Sequence, residues 1–253
     1  MAGLKRDNLR FSRLGVQAQI QQPPTIPTGP LLPGQVLLPP LALSTEASAR
    51  IYSALAPLGI TSMQSVGGGV ELASPDGITS VTATANELQF AEDVSRSSID
   101  SARHKLGSSV EALFKELAPR SVILQQAVDL QGVWEGLGVA ADQFVLSRFL
   151  NPDATRLVDD IGYTFIGAGI RLTVTGPVMG QMPPGVVMLG GEARDSIDVR
   201  VEPLFVDKTK LFLQLTGLFP ATDDHKEIVK RVNLVHNLAW DKIARNLELA
   251  SKE

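Results

Sequence analysis

The sequence predicts an α+β fold, built on a largely antiparallel, curved sheet with helices packed on one face. Three observations lead there. Short runs of strand-like alternation recur between turn-forming residues, which is how antiparallel strands joined by tight connections read. Two longer segments, 95–117 and 222–250, instead repeat apolar residues at helical spacing. The chain of 253 residues is 44% hydrophobic and 20% charged, enough to bury a sizeable core, and with only 5% aromatics that core must be aliphatic.

In chain order, residues 8–20 alternate Leu9 and Phe11, then Leu14, Val16, Ala18 and Ile20. The phase slips at Arg13–Leu14, which suggests a bulge or two short strands. Residues 21–43 follow, with seven prolines, six leucines and no charge. Ser44 or Thr45 can cap a helix that Gly59 ends, with Ala47, Ile51, Leu55 and Leu58 on one face. Residues 60–73 and 78–92 read as two strands around the turn Ser74-Pro75-Asp76-Gly77, with Gly67–Gly69 as a bulge or bend inside the first. The helix near 95–117 carries Ile99, Ala102, Leu106, Val110, Leu113 and Leu117, and Pro119 stops it.

The second part repeats the alternation. Residues 121–135 read as a strand and 142–150 as a helix with Phe144, Val145 and Phe149 on its stripe. Asn151-Pro152 opens another short helix. Strands are expected over 163–176, 185–191, 196–206 and 210–219, with Pro203 marking an edge strand or a bulge and Asp207–Lys210 closing a hairpin. The last helix, 222–250, aligns Ile228, Val232, Val235, Ala239, Ile243 and Leu247.

Three segments result: an N-terminal strand plus proline-rich arm (1–43), a first α+β half (44–120), and a second half with the long C-terminal helix (121–253) that forms one compact unit with the first. The order β–α–β–β–α followed by β–α–α–β–β–β–β–α suggests two pseudo-repeated halves. In element order alone this is similar to the saddle of the TATA-binding-protein fold and to helix-grip folds, and fold does not fix function.

Composition narrows the chemistry. The chain has no cysteine, which removes disulfides, thiolate metal sites and cysteine nucleophiles and fits a reducing compartment. The first 15 residues lack the apolar core of a secretory signal, and no apolar run reaches membrane-spanning length, so a soluble cytoplasmic protein is expected. Residues 44–221 hold thirteen basic side chains against twenty acidic ones, which argues against nucleic acid as partner.

The motif search assigns no catalytic, cofactor-binding or metal-ligating residue. His104, His225 and His236 share no metal-ligand spacing, and each fits a surface, capping or core-border role. The doublets Glu92-Asp93, Asp159-Asp160 and Asp223-Asp224 fit helix ends better than acid–base pairs. The glycine clusters at 67–69 and 167–169 do not open a helix as a phosphate cradle would, and no Gly-x-Ser-x-Gly occurs. Gly167 and Gly169 leave a flat spot on the sheet for a helix or a ligand.

What remains is uncharged grease. The arm offers Pro23, Pro24, Ile26, Leu31, Leu32, Leu37 and Leu38, and the segment 175–191 offers Met179, Met182 and Met188. Proline lowers the entropy cost of docking an extended arm, and methionine adapts to varied contacts. The expectation is a non-catalytic protein-binding or assembly module, its partner another protein or a second copy, with no cofactor. The alternative is a small-molecule binder or enzyme with a cavity between the sheet and the last helix, near Gly167, Gly169, Trp134 and Trp240. A third reading is nucleic-acid binding on an open sheet face.

Overall fold

The computed structural model describes residues 4–23, 42–137, 139–149, 169–178 and 194–251. Among the described residues nine antiparallel strands form one sheet in the order β2-β3-β4-β5-β1-β6-β9-β8-β7. The two central strands are long: β1 (Leu9–Gln21) and β6 (Val122–Trp134). Two wings extend from them. One adds β5 (Glu87–Asp93), β4 (Thr79–Thr84), β3 (Gly69–Ala73) and β2 (Ser62–Val66) outward from β1. The other adds β9 (Asp207–Phe219), β8 (Arg194–Leu204) and β7 (Ile170–Val178) outward from β6. In both wings the strand nearest the centre is the last before a helix, so the winding is the same.

β1 is one strand with a bulge, seen as a register shift between Phe11 and Arg13 against β6. Where the sequence suggested two strands over 60–92, the chain makes four. Gly67–Gly68 is a hairpin turn rather than a bulge, because Gly68 takes a φ of +83° that other residues resist. A second reversal at Ala85–Asn86 separates β4 from β5, held by Asn86 N–H donating to Thr84 Oγ1. Pro203 does not mark an edge: β8 is paired on both sides, and the ladder shifts register between Pro203 and Leu204 instead. The β8–β9 turn is Phe205–Val206, one step earlier than Asp207–Lys210, which belong to β9.

The helices cover one face. In α1 (Thr45–Leu55) the Ser44 hydroxyl accepts from Ala47 N–H at 3.1 Å, and Ala47, Ile51 and Leu55 turn inward. α2 (Ile99–Glu116) starts at Ser98, whose hydroxyl accepts from Ser101 N–H, and buries Ala102, Leu106, Val110 and Leu113. α3 (Ala141–Phe149) buries Ala141, Phe144 and Val145. The C-terminal helix comprises α4 (Glu227–Asn237), a π-helical stretch (Leu238–Ala244) and α5 (Arg245–Ala250). It lies so close to β9 that a Cβ on Gly217 would meet Val235 at 3.0 Å. Its aliphatic stripe joins one core with β1, β6 and α2.

Two buried polar clusters tie helices to sheet. Glu92, 1% exposed, accepts from Lys105 of α2 at 2.9 Å and from Thr79 Oγ1 at 2.5 Å. Gln126, fully buried, donates to Ile228 O at 2.9 Å, and Arg231 beside it donates to Pro220 O at 2.9 Å. Most of the arm, the short helix at 151, the first part of the 163–176 strand and the 185–191 strand lie outside the described residues.

Candidate functional site

The largest concavity among the described pockets is a groove of about 680 Å³ between the β7–β8 edge and the C-terminal helix. Sheet alternation builds one wall: Ile170, Leu172 and Val174 of β7 and Val199 and Val201 of β8 point to the helix side. Leu238, Ile243 and Leu247 form the other wall. The π-helical stretch aims them. In a continuous α-helix Ile243 would follow Ala239 into the core at i+4. The wider turn puts Ala244 there instead, five residues on and fully buried, and leaves Ile243 half-buried at the groove.

Phe149 at the end of α3 and Gly169 before β7 border the groove. Its one charged lining residue, Arg171, points to the opposite sheet face and is neutralised there. Its Nε donates to both Asp198 oxygens at 3.1 and 3.0 Å, and Thr173 Oγ1 donates to the same carboxylate at 3.0 Å. These bonds hold the Asp198 carboxyl below its ordinary value, Arg171 contributing most. The lining contains no histidine, carboxylate, lysine, serine or tyrosine. Among the described residues the lining is apolar apart from Arg171 and Asn246.

The exposure of its outer wall is the informative quantity. Across the helix-side face, one paired row runs outward from the centre through Val16, Phe90, Val81 and Leu72, all 4% exposed or less. The matching row of the other wing runs through Leu130, Leu215, Val199 and Leu172. Its first three members are equally buried, while Leu172 is 56% exposed and its neighbour Val174 46%.

Of the expected interface residues, Pro23 is half-buried just past β1. Pro24, Ile26, Leu31, Leu32, Leu37, Leu38, Met179, Met182 and Met188 lie outside the described residues. Gly169 is at the groove, but a side chain there would press on Glu202 Cβ at 3.0 Å, so the neighbouring strand is what calls for glycine. Trp134 is fully buried and donates to Lys5 O at 2.7 Å, away from the groove. Trp240 packs against Phe11 under the Arg6 guanidinium, also away from it.

His104 is exposed, and His225 stacks on Phe114 with ring centroids 5.0 Å apart. His236 borders the core beside Phe11, and burial followed by the charge of Arg103 pushes its pKa down. The helix-end reading of the carboxylate doublets fits the position of Asp224, which accepts from Lys226 N–H just ahead of α4 without capping it, and fails for Glu92. On a strand the members of a doublet face opposite ways, so Asp93 reaches Ser95 at the surface while Glu92 enters the core. Among the described residues no group of three or more His, Asp or Glu could hold a metal ion, and no helix is long and apolar enough to cross a membrane.

No protein-family model matches the chain, and neither does any curated protein sequence.

Proposed function

We propose that the chain is a non-catalytic binding module of a cytoplasmic assembly, and that the groove beside β7 takes an apolar segment of a protein partner. The observation that carries this reading is the exposed Leu172–Val174 wall, set against the fully buried Val70 and Leu72 in the corresponding strand of the other wing. Apolar side chains exposed together on a paired strand are the raw material of interfaces. β7 is also the outermost described strand on its side, so its free backbone groups can bond an added strand. Each Å² of apolar surface covered contributes roughly 25 cal/mol. The proposal that the apolar segments 21–43 and 175–191 add further docking surface rests on their composition.

A small apolar molecule is the second reading, favoured by a groove volume within the range of roughly 300–1,000 Å³ usual for ligand pockets. Nucleic acid on the open sheet face finds less support. The acidic middle of the chain, thirteen basic against twenty acidic side chains over 44–221, opposes it.

Light scattering on the purified protein, alone and as the Leu172→Glu/Val174→Glu double variant, tests the proposal. The wild type should run as an oligomer or defined complex, and the variant as a monomer with an unchanged Tm. A wild-type monomer that recovers no partner in a pull-down would overturn the reading, and so would a variant that loses several degrees of Tm, which would mean that these side chains serve the chain's own core. A wild-type monomer carrying a lipid-like molecule detectable by mass spectrometry would favour the second reading.

A further inference from the structure

The open face of the sheet holds a feature unrelated to the groove. Gly15 of β1 is paired with Ala91 of β5 on one side and Asp129 of β6 on the other, and Ala127 follows two residues before Asp129 on the same face. These small residues leave a depression of about 270 Å³ at the centre of the sheet. Arg13, Gln89 and Asp129 stand around it.

Two of these groups are unusual for a solvated sheet face. Asp129 is fixed: Oδ1 accepts from Gln214 Nε2 at 2.6 Å and from Thr216 Oγ1 at 3.2 Å, and Oδ2 accepts from Gln131 Nε2 at 2.7 Å. Three neutral donors thus orient a carboxylate with no cation bonded to it, and about one of its four lone-pair positions is left over. Arg13 is the reverse case. It is exposed at the rim of the depression, and among the described residues it makes no hydrogen bond or ion pair. The other wing shows what a self-contained face looks like. There Arg171 is bonded to Asp198 at 3.0 Å and Arg200 to Glu202 at 3.1 Å.

We propose that the depression binds a compact molecule with a carboxylate next to a hydrogen-bond donor, that is, an α-amino or α-hydroxy carboxylate. The guanidinium of Arg13 takes the ligand carboxylate through its paired N–H groups. The oriented Asp129 carboxylate accepts from the adjacent ammonium or hydroxyl, and the Gln89 amide supplies a further polar contact. The small volume restricts the site to ligands of a few heavy atoms beyond those groups.

The test is a heteronuclear NMR titration with L-serine and L-lactate as probes and acetate as the probe lacking the donor. Saturable shifts should appear at the Gly15 and Ala127 amides, with serine or lactate binding about tenfold or more tightly than acetate. Arg13→Gln should weaken binding by about tenfold or more. Gly15→Val should abolish it while the protein stays folded: a Cβ at Gly15 meets only Asp129 Cβ at 3.7 Å and Asp129 O at 3.9 Å, which is ordinary contact, so the new side chain fits and fills the hollow. Arg10→Gln, which removes an exposed guanidinium from β1 at a position outside the depression, should leave binding unchanged. No saturable shift with either probe, acetate binding as tightly as lactate, or binding that survives Gly15→Val would each overturn the proposal. None of these results bears on the groove.

Discussion

The two wings follow the same winding from the central strands, yet cover reaches the third strand out in one and only the second in the other. On the β1 side the third strand out, β3, is roofed, and only the fourth, β2, lies open, with Met63 51% exposed. α1 lies along α2, tied to it by Arg50 donating to both Glu116 oxygens at 2.9 and 2.7 Å, and Val70 and Leu72 beneath are 1% exposed or less. On the β6 side α3 reaches β8 and β9, and the outermost described strand, β7, leaves Leu172 and Val174 exposed. A shared topology therefore does not require a shared degree of closure. Where the helix sits along the wing decides whether the third strand out contributes to the core or to a surface. The largest apolar opening lies where the roof stops short.

The sharpest way to break this comparison is to truncate the same row on both sides. Leu72→Ala removes a fully buried side chain and should cost about 3–5 kcal/mol in urea denaturation. Leu172→Ala, half-exposed, should cost no more than about 0.5 kcal/mol in the isolated chain. Equal losses at the two sites would mean that Leu172 is covered, and the asymmetry between the wings would vanish.

A smaller difference is expected between the buried polar clusters. The β1 wing uses an ion pair, Glu92 with Lys105, and the β6 wing uses an amide, Gln126, on the backbone of α4. Lys105→Met strands a carboxylate that is 1% exposed with only Thr79 to donate to it, and should cost about 3 kcal/mol. Gln126→Leu leaves the Ile228 carbonyl without this donor and removes the acceptor of the long 3.4 Å bond from Arg231 Nη1, while Arg231 keeps Pro220 O. It should cost about 1–2 kcal/mol. Chemical denaturation of both variants at one pH measures the ratio, and a larger loss for Gln126→Leu would reverse the assignment of which wing depends on charge.

How much of this was legible follows from the range over which each signal acts. Alternation and capping are local, so β1 with its bulge, α1 from Ser44 to Gly59, β6, and the inward set Ile197, Val199 and Val201 could be read directly. The four-strand count over 60–92 was blurred because the Gly67–Gly68 and Ala85–Asn86 turns are too short to interrupt the apolar rhythm. The π-helical stretch left no mark, since Ala239, Ile243 and Leu247 fit a continuous α-helix equally well. The groove was foreseen only as a cavity near the last helix, with Gly169 among its features. Its wall residue Leu172 looks no different from Leu72 in sequence, because exposure depends on where a distant helix lies. The free Arg13 and the oriented Asp129 were invisible for the same reason. Gln131, Gln214 and Thr216 meet Asp129 only through the β6–β9 register.

The smallest effect concerns the joint between the wings, where α2 of one meets α4 of the other. His236 packs its ring on Phe11 at 5.0 Å, and its Nδ1 is buried without a hydrogen-bond partner. Arg103 and Asp100 face it from α2, Asn237 and Asp241 from its own helix, and Arg6 stands over the neighbouring Trp240. Burial first, and Arg103 second, lower its pKa below the ordinary 6.5. Above about pH 6.5 the imidazole is neutral in both folded and unfolded chains, and its contribution to stability is complete. Below that, the unfolded chain binds the proton and the folded one does not, so stability falls with pH until the folded pKa is passed. Denaturation midpoints measured between pH 5 and 7 should therefore decline toward acid, and His236→Leu should flatten that slope, with Trp240 fluorescence following the same transition. An unchanged slope in the variant would move the acid sensitivity away from this joint and leave α2 and α4 joined by packing alone.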